Sequence, residues 1–156
     1  MQVENLIKKI FNMVLTSLIL PKDLNEFWPK VKDHLTKAVK YTYGRYSLEN
    51  IYDAIMNRNY HLWVACVDGA YKGAVVTNIT EYPQKKFLCM HFTGGYDLKD
   101  WKQPMLDKLR KFAKDMGCAG IESSGRPGWV KVFSNDGVRA SWITYELPLT
   151  GERLHG

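Results

Sequence analysis

The sequence predicts an α/β (α+β) fold, with a mixed central sheet of about six strands and helices on both faces. Segments with strand-like and helix-like hydrophobic periodicity follow one another in the order β-α-α-β-β-β-α-β-α-β, so hairpins and crossovers occur in one sheet. Aromatic residues make up 13% of the chain, which suits a sheet with a large core. No repeat, low-complexity tract or linker interrupts this order.

The length of the chain fits one layered domain. With 156 residues, 46% of them hydrophobic, the chain can bury a core without a disulfide or a metal. We expect a helical extension over residues 1–12, one domain over 13–149 and a short polar tail over 150–156. The apolar run from Ile10 to Leu20 is too short to span a bilayer and lacks a signal-peptide cleavage pattern. It therefore indicates a buried strand after a short helix.

The first part of the chain predicts a strand and two helices. Residues 13–20 form the strand, and Asp23 with Glu26 resembles a capping box before the first helix. Pro29 falls inside this helix, where it predicts a kink. Ser47 is a suitable N-cap for the second helix. The apolar stripe of the first helix consists of Leu24, Phe27, Trp28, Val31, Leu35, Ala38 and Val39.

Three consecutive strands come next. Residues 61–67 and 73–80 form a hairpin around Asp68-Gly69, and residues 87–93 form the third strand. A long amphipathic helix follows and ends before Gly117, which stands where a C-terminal cap belongs.

The last part of the chain predicts two strands around a short helix. Residues 118–122 form the first strand, Pro127 begins a helix that runs to Phe133, and residues 138–147 form a final long strand.

The net charge is +6, from 22 basic and 16 acidic residues, which favours anionic partners such as phosphorylated cofactors. The basic residues of the long helix fit an exposed helix face and no nucleic-acid motif accompanies them, so we expect neither nucleic acid nor a membrane as a partner. These residues are Lys108, Arg110, Lys111 and Lys114.

The cysteines indicate a reducing compartment. Cys66, Cys89 and Cys118 are odd in number and widely spaced, which does not fit a disulfide framework. Cys89 and His91 share a strand face, but no second close ligand pair occurs in the sequence, so we expect no metal site.

Three local segments carry a family resemblance. Residues 63–77 contain the hairpin, residues 112–118 (FAKDMGC) lead from the long helix into the next strand, and residues 125–129 (GRPGW) precede the short helix. The first two segments, together with the order of strands and helices over residues 14–147, resemble the GNAT acetyltransferase superfamily. The third resembles GNAT-like proteins encoded by tailed phages. The resemblance implies the GNAT fold, acetyl-coenzyme A (acetyl-CoA) as acyl donor and a primary amine as acceptor.

The family's diphosphate cradle, Arg/Gln-x-x-Gly-x-Gly/Ala, is altered here. The resemblance aligns residues 97–102 (DLKDWK) with it, so Asp97 stands for the basic residue, and Asp100 and Lys102 stand for glycines. Carboxylates repel a diphosphate, whereas both suit the start of a helix. Gly94-Gly95 is either a displaced cradle or a turn. The resemblance implies that backbone groups bind the pantetheine arm and polarise the thioester carbonyl. These groups belong to Phe92, Thr93, Gly94 and Gly95.

The resemblance also implies a general base and a proton donor for the departing thiolate. His91, Glu81 and Glu122 are candidates for the base, although each also fits an ordinary structural role. Phe133 stands where the family has its tyrosine donor, and phenylalanine has no proton to give. Tyr145, on the predicted last strand, is the substitute.

Two functions therefore remain open. The altered cradle and Phe133 favour a phage-type GNAT fold without catalysis, acting as an interaction or virion-associated subunit or as a homo-oligomer. The alternative is an active acetyl-CoA-dependent N-acetyltransferase. We expect the protein in the bacterial host cytoplasm or in the virion.

Overall fold

A computed structural model describes residues 2–4, 13–151 and 154. The chain divides into a large unit up to Ser123 and a small unit from Ser124 onward. Residues 2–4 are helical, while the rest of the predicted extension over 1–12 and part of the predicted tail over 150–156 lie outside the described residues. The single domain over 13–149 stays a prediction.

The large unit contains a mixed sheet of five strands in the order β1-β2-β3-β4-β5. The first four strands pair antiparallel with their neighbours, and β4 pairs parallel with β5. The strands are β1 (Val14–Ile19), β2 (His61–Val67), β3 (Ala70–Glu81), β4 (Lys86–Gly95) and β5 (Gly120–Ser123).

Helices cover both faces of this sheet, which confirms the predicted fold class. On one face, α1 (Leu24–Lys40) and α2 (Leu48–Met56) pack on a core that includes Val64, Val76 and Phe92. We call this the α1/α2 face. On the other face lies α3 (Leu98–Asp115), which buries Trp101, Met105, Leu106, Leu109 and Ala113. Burial of each Leu or Met side chain in this stripe contributes roughly 1.5–3 kcal/mol, so the stripe fixes α3 to the sheet.

Local signals explain most element boundaries. Ser47 and Asn50 form a reciprocal capping box at the start of α2. Asp68 and Gly69 both have positive φ, as the two-residue turn between β2 and β3 requires. Gly117 has φ +72 just past α3, as predicted for a C-terminal cap. Asp23 makes no side-chain cap to α1, so the capping box predicted there is wrong.

The small unit contains a short helix, α4 (Gly128–Val132), and a 3₁₀ turn over Ser134–Asp136. The rings of Trp129 and Phe133 stack with centroids 5.8 Å apart. The predicted final strand over 138–147 is wrong, because these residues form no regular element and pair with no strand among the described residues. An apolar pattern selects a strand only where a partner satisfies the backbone.

Candidate functional site

An irregularity in β4 places His91 on the α1/α2 face. Val76 pairs with Phe92 and Thr77 pairs with Met90, so His91 has no register partner on β3. This β-bulge sets His91 beside Phe92, with ring centroids 4.5 Å apart. Because a bulge lets two consecutive residues face the same side, His91 and Phe92 both lie on the α1/α2 face, whereas a regular strand would place them on opposite faces.

β4 and β5 separate directly before the bulge. β4 pairs with β3 up to Gly95, but it pairs with β5 only from Phe87 to Met90. Ser123 donates a hydrogen bond to the Met90 carbonyl, 2.8 Å away, at the point of separation. Within the described part of the chain, residues 91–95 have no strand on this side, and we call them the open edge. About half of their backbone N–H and C=O groups face it, since a strand directs these groups alternately to its two sides.

Two tyrosines surround His91. The Tyr60 hydroxyl lies 3.4 Å from His91 Nε2, and the Tyr46 ring centroid lies 5.1 Å from that of His91. Burial lowers the pKa of His91 below its ordinary value, so the imidazole is neutral at pH 7. Burial and a hydrogen bond with Tyr46 raise the pKa of Tyr60 to about 12. The cluster is therefore aromatic and uncharged.

A polar row crosses the same face next to His91. Asn78 on β3, Cys89 on β4 and Glu122 on β5 are register partners, and we call them the polar row. Glu122 Oε1 accepts a hydrogen bond from the Tyr82 hydroxyl at 2.7 Å. Burial, followed by the charge of Glu122, raises the pKa of Cys89 to about 11, so its thiol stays protonated. The Asn78 Oδ1 atom is buried and has no hydrogen-bond partner in the part of the chain that the structure describes.

The junction between β4 and α3 is tightly packed. A Cβ on Gly94 would collide with the His34 carbonyl oxygen of α1, and a Cβ on Gly95 would collide with the Lys72 carbonyl oxygen. Gly95 has φ +135, a conformation that favours glycine. Gly94 and Gly95 are the last two residues of β4. Close packing therefore explains why glycines stand there, and a displaced diphosphate cradle is not needed to explain them.

The N-terminus of α3 carries two carboxylates that share one lysine. Lys72 Nζ lies 3.0 Å from Asp97 Oδ2 and 3.5 Å from Asp100 Oδ2. Lys72 is the extra residue of a bulge in β3, which explains how its side chain reaches α3. Both carboxylates lie at the helix start: Asp97, with φ 50, is at the N-cap position without a side-chain capping hydrogen bond, and Asp100 is in the first turn. The lysine balances one of the two negative charges.

Comparison with known proteins identifies the fold. No family model matches the chain, and no curated protein matches it. Solved structures do match: a ribosomal-protein-alanine N-acetyltransferase from Brucella melitensis biovar Abortus has a TM-score of 0.63 and 16% identity, over 88% of this chain and 100% of that chain. The chain has the GNAT acetyltransferase fold.

Two further GNAT-fold structures agree. An aminoglycoside acetyltransferase from an uncultured soil metagenomic sample has a TM-score of 0.63 and 12% identity, over 88% of this chain and 97% of that chain. A GNAT family acetyltransferase from Staphylococcus aureus has a TM-score of 0.60 and 12% identity, over 87% of this chain and 98% of that chain. At these identities the likeness concerns the fold, and it does not extend to a phage subgroup.

The GNAT fold brings some of the predicted site residues together. The open edge contains His91 together with Phe92, Thr93, Gly94 and Gly95. Glu122 lies in the polar row beside it. Glu81 pairs with Lys86 at the opposite end of β4, away from the open edge. Tyr145 lies in the small unit, 88% exposed and outside any strand.

Sequence reasoning missed Tyr60, Tyr46 and Asn78. Tyr60 directly precedes β2 and Tyr46 precedes α2, so neither belongs to a motif. Asn78 is a polar residue inside a strand with an apolar core face, and that mismatch is a signal the sequence does carry.

The site fits one end of acetyl-CoA better than the other. The pantetheine arm contains amide groups, and the open edge offers the free backbone groups that such amides pair with. A diphosphate favours basic residues and glycines at a helix N-terminus, and here Asp97 and Asp100 stand beside it, in contact with Lys72. Among the described residues, no group of His, Cys, Asp and Glu side chains could hold a metal ion. No helix of the described chain has the length and apolar character to cross a membrane.

Proposed function

We propose that this chain is an acetyl-CoA-dependent N-acetyltransferase that transfers an acetyl group to a primary amine. The bulge that places His91 beside the separation of β4 and β5 carries this proposal. It puts a neutral base at the point where free backbone groups can bind a thioester arm. The fold alone would not carry the proposal, since one fold serves many functions.

The open edge binds and orients the donor. Backbone groups of Phe92, Thr93, Gly94 and Gly95 pair with the amides of the pantetheine arm, as an added strand would. A free N–H of this segment also donates to the thioester carbonyl oxygen, where negative charge develops. When bound, the acyl thioester supplies the electrophilic carbonyl carbon.

His91 removes the proton that the acceptor amine loses as its nitrogen bonds to the acyl carbon, and the C–S bond breaks so that the thiolate leaves. The imidazole is suited to this task because burial keeps it neutral at pH 7. A base in this position contributes about 10²–10⁴-fold to the rate. Tyr60 contacts His91 Nε2 and orients the ring.

The other acid–base candidates have weaker support. Glu122 is the nearer alternative base, although its carboxylate already accepts a hydrogen bond from Tyr82. Glu81 lies at the far end of the strand pair. Tyr145 as proton donor to the thiolate stays a prediction.

The second candidate function is a non-catalytic interaction subunit, in a phage assembly or as a homo-oligomer. The observation that favours it is the pair of carboxylates at the start of α3, because Asp97 and Asp100 oppose a diphosphate. In this interpretation the open edge keeps the GNAT geometry without binding acetyl-CoA.

A thermal-shift measurement with acetyl-CoA, coenzyme A and S-acetylpantetheine distinguishes the two functions. A ligand at 100 times its Kd adds about 2.7 kcal/mol, which raises the Tm of a domain of this size by about 5–10 °C. We expect a shift with all three ligands and acetyl transfer to an alkylamine. No shift with any of them would support the interaction subunit instead.

A matched pair of histidine variants tests the base. We expect His91→Gln to lower kcat about 100-fold or more while the shift with acetyl-CoA persists. The control is His61→Gln, because His61 is also a partly buried strand histidine but packs against Phe112 of α3 on the other face. Equal losses of kcat in both variants would contradict the role of His91.

A further inference from the structure

Asn78 has a buried acceptor without a donor. Its Oδ1 lies on the α1/α2 face, in the second half of β3, and no group among the described residues donates to it. A buried acceptor left without a hydrogen bond costs about 1–3 kcal/mol, and most buried side-chain polar atoms are paired. This atom therefore marks a position where a donor from another molecule would be stabilised.

The register places this acceptor next to His91. Asn78 pairs with Cys89, and His91 follows Cys89 by two positions on the same face of β4. Directly opposed residues have Cα atoms about 4.5–5.5 Å apart, and diagonal neighbours lie about 7–8 Å apart. One small group between Asn78 and His91 can thus contact both side chains.

The chemistry of these side chains selects the group. The carbonyl oxygen of Asn78 only accepts hydrogen bonds, and the free nitrogen of a neutral imidazole also accepts. Glu122, in the same row, is an acceptor as well. An anion finds no positive partner among these residues, so the geometry favours a group with at least two N–H donors. A neutral primary amine has two, and its lone pair remains for the acyl carbon.

We propose that Asn78 is a positioning residue that holds the acceptor amine and selects primary amines over secondary amines and alcohols. One N–H donates to Asn78 Oδ1 and the other donates to His91. A secondary amine or an alcohol has a single donor and leaves one acceptor unpaired. This inference rests on the proposed function, because it assigns the amine subsite of that same site.

Binding can be tested without turnover. The probe is n-butylamine at alkaline pH, titrated while NMR follows the His91 ring signals, with N-methylbutylamine as the secondary amine. We expect n-butylamine to bind the unmodified protein about tenfold more tightly than N-methylbutylamine, since one buried hydrogen bond is at stake. Asn78→Leu removes the acceptor and should bring the two affinities together.

A control variant and a kinetic readout complete the test. Thr80→Val changes a polar residue two positions along β3, opposite Phe87 and farther from His91, and should keep the preference. In turnover, Asn78→Leu should raise KM for n-butylamine more than it lowers kcat, and Asn78→Asp should partly restore KM. Unperturbed His91 signals in the unmodified protein, or an unchanged preference in Asn78→Leu, would overturn the inference. Loss of the acetyl-CoA thermal shift concerns only the proposed function, because the amine titration needs no donor.

Discussion

The two ends of the open edge differ in how they depend on the sequence. At the His91 end, backbone features form the site: a bulge in β4 and the separation of β4 from β5. At the α3 end, the binding of an anion depends on side chains, and there the chain has Asp97 and Asp100 with Lys72 between them. A backbone feature of a fold tolerates many sequences, whereas a charge changes with a single residue. The His91 end can therefore keep its geometry while the α3 end diverges.

Lys72 connects this difference to the packing of the sheet. Its carbonyl accepts a hydrogen bond from the Tyr96 N–H at 2.9 Å, and its ammonium contacts both carboxylates. The hydrogen bond to Asp97 is the main reason that the pKa of Lys72 is raised. Lys72 thus stabilises the junction between β4 and α3, and its ammonium group is already paired with the carboxylates of Asp97 and Asp100.

The largest expected effect comes from Gly94→Ala, which disturbs both ends at once. The added Cβ would collide with the His34 carbonyl oxygen, so β4 and α1 must separate. Overpacking in a core costs about 1–3 kcal/mol, and a rigid backbone contact places this variant at the upper limit or beyond. We expect a Tm lower by about 6 °C or more, measured by calorimetry.

Gly69→Asn is the control for that variant. A Cβ on Gly69 meets nothing within 4 Å, and asparagine tolerates the positive φ of this glycine. Its Tm should change little. A stable Gly94→Ala protein would show that the junction adapts, and the argument that packing explains the two glycines would fail.

A smaller effect is expected at the α3 end alone. The double variant Asp97→Asn with Asp100→Asn removes two negative charges and releases Lys72. We expect acetyl-CoA to bind about tenfold more tightly, while the Kd of S-acetylpantetheine, which has no diphosphate, stays the same. Isothermal titration with both ligands measures the difference.

The matched control makes the same charge change elsewhere on α3. Asp107 and Asp115 pair with Arg110 and Lys111 on the exposed side of the helix, and both are replaced by asparagine. An equal gain in that control would mean that total charge, rather than the two carboxylates at the start of α3, determines the affinity.

The sequence could predict the fold to the extent that local signals determine it. The hairpin turn at Asp68-Gly69, the cap at Ser47 and the stripe of α3 are local, and the structure confirms each. The segment 138–147 has the composition of a strand but no partner strand among the described residues, and its side chains such as Trp142 and Tyr145 are exposed. Strand pairing is a property of two segments, and one segment's pattern does not contain it.

The candidate site was less predictable because it depends on register. His91 could be chosen as a candidate from its residue type, but its placement on one face together with Phe92 follows from the bulge, which exists only relative to β3. Asn78 is a polar mismatch in the sequence, but its place in the polar row follows from its pairing with Cys89. Tyr60 lies 31 residues from His91 in the chain, and only the fold brings the two together.

The smallest expected effect, a pH dependence, separates the two ends again. Burial lowers the pKa of His91 and of His61 in the folded protein. At pH values between these lowered pKa values and about 6.5, the unfolded chain therefore binds more protons than the folded protein. The free energy of unfolding is therefore greatest above about pH 6.5, falls as the pH is lowered, and levels off below the two native pKa values. His91→Gln should reduce this fall, and denaturant titrations at a series of pH values measure it.

Acetyl transfer should be lost over the same pH range, because a protonated His91 cannot accept the amine proton. Binding of acetyl-CoA should stay nearly constant there, since the pKa of Lys72 is raised from 10.5 and the lysine keeps its charge. A transfer rate and a binding constant that fall together would place the titrating group at the α3 end. A fall in the rate alone, absent in His91→Gln, assigns the titration to His91.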